Sequence, residues 1–173
     1  IISCSESFNI DLSFGDSESD SINPGIDNAF ASTYTPMDSE PVLFKSANIY
    51  DGLGGEFRNY DLLLSEGKII EIGESISAPG VLVIDATDKW ITPGIIDIHS
   101  HMGVYSAPGV STSSDGNEAT APVTAEVWAE HSVWTQDPQF ALALKGGVTS
   151  FHVLPGSANL FGGRGATFKN VSQ

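Results

Sequence analysis

Residues Trp90 to His101 read WITPGIIDIHSH, and this run decides how the chain is organised. Thr92-Pro93-Gly94 punctuates the chain, because proline fixes φ and glycine frees it. An apolar run of strand character follows. At the two-residue period of a strand, Ile96 and Ile98 point one way and Asp97, His99 and His101 the other. Two imidazoles at i and i+2 can reach one cation at about 2.0–2.1 Å each, the usual zinc–nitrogen distance. A carboxylate one step earlier can ligate, or orient an imidazole. An H-x-H pair alone has little specificity, and its context supplies the rest. Pro93-Gly94 precedes it and Gly103, Gly109 and Gly116 follow, the pattern of a barrel strand opening into an active-site loop.

Upstream, residues 42–44 and 47–50 form a β-rich run ending in a turn at Asp51-Gly52. Residues 60–64 and 68–72 flank Ser65-Glu66-Gly67 and predict a hairpin. Residues 81–85 predict another strand. Short strands at this spacing predict a small sandwich or half-barrel over residues 41–92. Downstream, the long stretch after His101 is a candidate wall or lid of a site, and residues 125–132 suggest a helical turn or two. The spacing then predicts a helix over residues 139–145, with Asp137 as N-cap, Pro138 at its first position and Gly146-Gly147 past its end. Residues 148–154 predict a second strand, and residues 155–165 a glycine-rich loop carrying Asn159 and Arg164.

Three stretches together carry a resemblance. PGIIDIHSH (93–101) resembles the first barrel strand of the amidohydrolase superfamily, which includes dihydroorotases, imidazolonepropionases, prolidase-like enzymes and deacetylases. YDLLLSEGKIIEIGESI (60–76) with VLVIDATDKWITPG (81–94) is similar to the small β-domain that precedes that strand. ALKGGVTSFHVLPGSANLFGGRGATFKN (143–170) resembles the helix end, second barrel strand and following loop of the imidazolonepropionase-related branch. The resemblance covers residues 41–173.

Beyond the acidic extended leader (1–40), which composition indicates, it implies an α/β architecture: a small β-sandwich-like domain (41–92) and the first two β/α units of a TIM-like (β/α)₈ barrel (93–173). A full barrel takes about 250 residues, so the barrel is incomplete in this chain. Its remaining strands are expected from a continuation or a second chain, without which this chain is not expected to turn over substrate. The resemblance further implies one or two divalent metals, zinc first, which polarise a carbonyl and activate a water. His99 and His101 would be metal ligands and Asp97 the supporting carboxylate of the catalytic site. Asn159, Arg164 and the loop's backbone N–H groups would meet a substrate carboxylate or carbonyl, the alternative being a glycine-rich turn with a solvated arginine. The implied reaction is hydrolysis of an amide or other C–N bond in a small amide or peptide-like substrate, with a homo-oligomer as the expected assembly.

The other histidines read differently. His152, in phase with Ser150 and Leu154, is expected to be a structural histidine rather than a neighbour of the metal, and His131, between Trp128 and Trp134, a packing residue. The chain of 173 residues has a formal charge of −15 with only seven Lys and Arg, which excludes nucleic acid as an expected partner. No apolar run approaches the roughly 20 residues of a membrane-spanning helix. Cys4 is the only cysteine, so no disulfide forms within the chain.

No Lys or Arg precedes Lys45, and residues 1–40 are expected to be extended and laid over a neighbouring surface. Ile1-Ile2-Ser3-Cys4 is similar to a bacterial lipobox, which would place a lipid anchor at Cys4 and the protein in the cell envelope or periplasm; a chance context, with a cytoplasmic protein, is the alternative. From a different functional class, an exported or lipid-anchored binding module with an incidental H-x-H would also carry these features.

Overall fold

The computed structural model describes residues 32–171, which divide into two compact units at Pro93/Gly94. Cys4 and residues 1–31 lie outside the described residues, and with them the lipid-anchor reading. Residues 32–40 are exposed and without regular secondary structure.

The first unit is one sheet with β1 (Val42–Tyr50) at its centre. β2 (Glu56–Ser65) pairs with β1 antiparallel, and β3 (Lys68–Gly73) with β2. On the other side of β1 lie β4 (Leu82–Asp85) and β5 (Trp90–Ile91), both parallel to it. This corrects the sandwich-like expectation: the strands form a single five-stranded layer, because β1 is long enough for β4 and β5 to pair in succession along one edge while β2 takes the other. The hairpin turns at Glu66 (φ 52°) and Gly67 (φ 69°), between the paired residues Ser65 and Lys68, the two-residue left-handed turn that strand twist favours. Ala47, Ile49, Leu62 and Ala86 form the buried centre, with Phe44, Phe57, Leu64 and Ile91 packed against them.

A buried carboxylate organises this sheet. Between Phe44 and Ala47, β1 advances three residues while β2 advances two, from Leu62 to Tyr60, and Ser46 at this bulge has φ 60°. The Ser46 N–H donates to Asp61 Oδ1 at 3.0 Å. Asp61 Oδ2 accepts from Lys45 Nζ at 2.5 Å and from the Ile76 N–H at 2.9 Å. Burial opposes ionisation of Asp61; the bonds from Lys45, Ser46 and Ile76 outweigh it and hold the carboxyl below its ordinary range.

The second unit has a three-stranded sheet in the order β6 (Ile95–Ser100), β7 (Val148–Val153), β8 (Ala166–Lys169). β6 and β7 are parallel, and the crossover between them includes the helix α1 (Pro138–Lys145). Asp137 caps α1 through the Gln139 N–H, with Pro138 in its first turn and Gly146 as C-cap. The stretch 125–132 contains one short 3₁₀ turn, Ala129–Ser132. A glycine-rich loop follows β7. After it the chain returns as β8, antiparallel to β7, its first residue Ala166 opposite Val153. Phe140, Phe151 and Phe168 stack in series, with centroids 5.2 and 5.5 Å apart, and this column joins α1, β7 and β8. Val104, Ala129, Phe151 and Val153 form the buried core. Ile95, Ile96 and Ile98 of β6 are exposed by 54%, 66% and 77%, so within these residues the strand's apolar side chains are not covered.

Asp61→Ala strands a lysine and two backbone N–H groups. It should lower the unfolding free energy by about 3 kcal/mol, read as a lower urea midpoint at unchanged slope. A loss under about 1 kcal/mol would show the pair to be worth no more than a surface ion pair.

Candidate functional site

The histidines stand where β6 ends. Their rings meet edge to face, with centroids 5.3 Å apart and planes at 81°. His101 Nδ1 lies 2.9 Å from the Leu154 carbonyl oxygen. A carbonyl only accepts, so Nδ1 carries a proton, and Nε2 is the ring nitrogen left to bind a cation. The Leu154 N–H donates to the Ser100 carbonyl at 3.0 Å, so the pairing of the two strands continues past β7 and aims that carbonyl at the imidazole.

Asp97 does something else. From Asp97 to Ser100, β6 advances three residues while β7 advances two, from Phe151 to Val153, and strict alternation is interrupted there. The Asp97 carboxylate accepts the His99 N–H at 3.1 Å, a local bond that fixes backbone. Among the described residues no group of three or more His, Cys, Asp and Glu could hold a metal. The two imidazoles are therefore a pair without a third donor here.

The turn after His101 is held from below. The Val104 and Tyr105 N–H groups donate to the His101 carbonyl at 3.2 and 3.0 Å. Gly103 has φ 82°, and a Cβ there would press on Val133 and Phe140, so only glycine suits the position. Its N–H donates to Asp137 Oδ2 at 3.0 Å, while Oδ1 takes the Ala107 N–H at 3.3 Å and the Gln139 N–H at 3.0 Å. The Gln139 amide adds a bond to Oδ2 at 2.9 Å. Burial opposes ionisation of Asp137; the bonds from Gln139, Gly103 and Ala107 prevail and keep the carboxyl below its ordinary range.

The glycine-rich loop is built mainly as framework. Asn159 Nδ2 donates to the carbonyls of Glu118 and Ala121 and to Thr124 Oγ1, and Asn159 Oδ1 is buried with no hydrogen-bond partner. The backbone N–H groups of Leu160 and Phe161 reach the Pro122 carbonyl, and that of Arg164 the Val127 carbonyl at 2.7 Å. The Arg164 guanidinium lies over the Trp128 ring at 4.7 Å, and His131 stacks on Trp128 with centroids 6.2 Å apart. His152 Nδ1 meets Thr167 Oγ1 at 2.9 Å, which ties β7 to β8. A cavity of about 180 Å³ is lined by Val104, Asp115, Asn117, Glu118 and Pro155; neither imidazole lines it. Sequence reasoning missed Tyr105, Asn117 and the Leu154 carbonyl, and saw Asp137 only as a helix cap. A carbonyl carries no residue signature, and the others act through partners distant in sequence.

No family model matches the chain. It is similar to an amidohydrolase, tasK, of Hapsidospora irregularis, 35% identical over 124 residues that make up 69% of this chain and 13% of that protein. An N-acyl-D-aspartate deacylase of Alcaligenes xylosoxydans xylosoxydans is 42% identical over 63 residues, 36% of this chain and 13% of its own length. The crystal structure of an amidohydrolase from Thermotoga maritima MSB8 superposes with a TM-score of 0.70 at 43% identity, over 76% of this chain and 34% of that one. The chain belongs to the amidohydrolase superfamily, and it spans 13% of the length of each of these two curated relatives.

The low titration of Asp137 gives a signed prediction. Its folded value lies below the unfolded value of 3.8, so its stabilisation is complete above 3.8 and is lost as the pH falls through the folded value. Asp137→Asn should lower stability at neutral pH by about 1–3 kcal/mol. It should also flatten the acid limb of unfolding free energy against pH. A variant that keeps the wild-type slope would show that Asp137 does not carry it.

Proposed function

We propose that His99 and His101 are ligands of a divalent metal in an enzyme that hydrolyses an amide or other C–N bond. The observation that carries this reading is the hydrogen bond from His101 Nδ1 to the Leu154 carbonyl. It selects the tautomer whose Nε2 can bind a cation, with the His99 ring alongside. Two imidazole nitrogen donors suit zinc. When bound, such a cation polarises the scissile carbonyl and lowers the pKa of a water toward about 7.

This chain's own residues do the positioning. The Leu154 carbonyl holds the His101 tautomer, Asp97 fixes the His99 backbone, and Asp137 holds the turn beyond the histidines. The names of the relatives, amidohydrolase and N-acyl-D-aspartate deacylase, support a C–N bond as the target. The uncovered Ile95, Ile96 and Ile98 support further strands beside β6, from a continuation or a second chain, which would complete both a (β/α)₈ barrel and the ligand set.

Metal analysis of the intact protein tests this reading. The wild type should hold a stoichiometric divalent metal, and His99→Ala and His101→Ala should each lose most of it, together with nearly all amide hydrolysis. Full occupancy in either variant would place the metal on other ligands.

A further inference from the structure

Tyr105 lies one turn beyond His101 and is held at its backbone, its ring and its hydroxyl. Its N–H donates to the His101 carbonyl at 3.0 Å, and its own carbonyl accepts from Gln139 Nε2 at 2.8 Å. Its ring meets the His101 ring nearly edge-on, with centroids 5.6 Å apart and planes at 75°. The phenol oxygen accepts from Asn117 Nδ2, and Asn117 Oδ1 accepts the Ala158 N–H at 3.1 Å.

Two glycines close on the same ring. A Cβ on Gly116 or on Gly156 would collide with Tyr105, and the two are joined by a hydrogen bond from the Gly156 N–H to the Gly116 carbonyl at 2.6 Å. Yet Tyr105 remains 36% exposed and stands outside the buried cluster of Val104, Ala129, Phe151 and Val153. Burial of apolar area does not account for so close a fit. The contact it secures is with His101.

We propose that Tyr105 is a positioning residue for His101. Clamped by Gly116, Gly156 and Asn117, it holds the imidazole in the orientation in which Nδ1 reaches the Leu154 carbonyl and Nε2 stays open. Through Asn117 and Gly156 it couples the loop after β7 to the histidine at the end of β6. The consequence for metal binding rests on the proposed function; the ring orientation can be read without any metal.

Histidine side-chain nitrogen NMR of the metal-free intact protein gives the first readout, and titration with Co²⁺ alone gives the second. In the wild type His101 should be held as the Nδ1–H tautomer. Tyr105→Leu and Asn117→Ala should populate the other tautomer and weaken Co²⁺ binding by about tenfold or more, the usual effect of removing a residue that supports a metal ligand. A folded Tyr105→Leu or Asn117→Ala protein with the wild-type His101 spectrum overturns the proposal. If Tyr105→Leu does not fold, Asn117→Ala decides alone, since it leaves the ring in place and removes its hydroxyl tether together with the acceptor of the Ala158 N–H. A wild type that binds no Co²⁺, or a His99→Ala protein that binds it equally well, would overturn the metal reading; the His101 spectra would still decide on Tyr105.

Discussion

The carboxylate of Asp137 is the constraint on which the second unit depends. It caps α1 through the Gln139 N–H and, across 34 residues of sequence, takes the N–H of Gly103 in the turn after His101. Hydrogen bonds to a charged acceptor are worth roughly 1.5–3 kcal/mol each, and here several converge on one buried group. That is enough to keep it ionised against the cost of burial. The glycine it holds has a left-handed backbone, so the turn that carries the chain from the histidines to Tyr105 is fixed by a side chain from the crossover helix. Without this acceptor the backbone N–H groups of Gly103, Ala107 and Gln139 lose their partner, and the position of the metal-site candidate relative to β7 loosens.

The first unit uses the same device independently. Asp61 accepts the N–H of Ser46, another residue with a left-handed backbone, at the place where β1 leaves its register with β2. An irregular residue cannot direct its N–H into the strand ladder, and a buried polar group without a partner is costly. A carboxylate brought in from the neighbouring strand resolves the conflict, and Lys45 balances its charge. In both units irregular backbone is stabilised from a distance by one acidic side chain.

This explains what was legible in the sequence. The hairpin at Glu66-Gly67, the helix from Pro138 and the strands over Ile95–Ser100 and Val148–Val153 are specified by neighbours, so turn chemistry, capping and apolar runs disclose them. β8 was not visible, because Ala-Thr-Phe-Lys is short, carries little apolar alternation and comes after a glycine-rich loop; it becomes a strand by pairing with β7 and stacking Phe168 on Phe151. The bulge between Asp97 and Ser100 was equally hidden. Period two gives the imidazoles one side but says nothing of a break in the ladder, and Asp97 answers to the His99 backbone N–H instead of to the imidazoles. Asp61, Asp137 and Tyr105 act over 15 residues or more or through closely packed glycines, and such contacts leave no periodic trace.

The orientation of His101 is in this sense a product of strand pairing. The Ser100 carbonyl takes the Leu154 N–H, and the Leu154 carbonyl takes His101 Nδ1, so a backbone bond and a side-chain bond share one residue just past the end of β7. Parallel pairing sets which carbonyl arrives there. A slip of one residue would move that carbonyl away from Nδ1 and leave the imidazole free to adopt either tautomer. Register is held at the other end by the Ile95 N–H on the Gly147 carbonyl. Across the sheet, the buried Asn170 amide bonds to the carbonyls of Phe140 and Val148. The features that hold α1, β7 and β8 together therefore also determine which nitrogen of His101 is available for chemistry, and that dependence reaches well beyond the H-x-H pair itself.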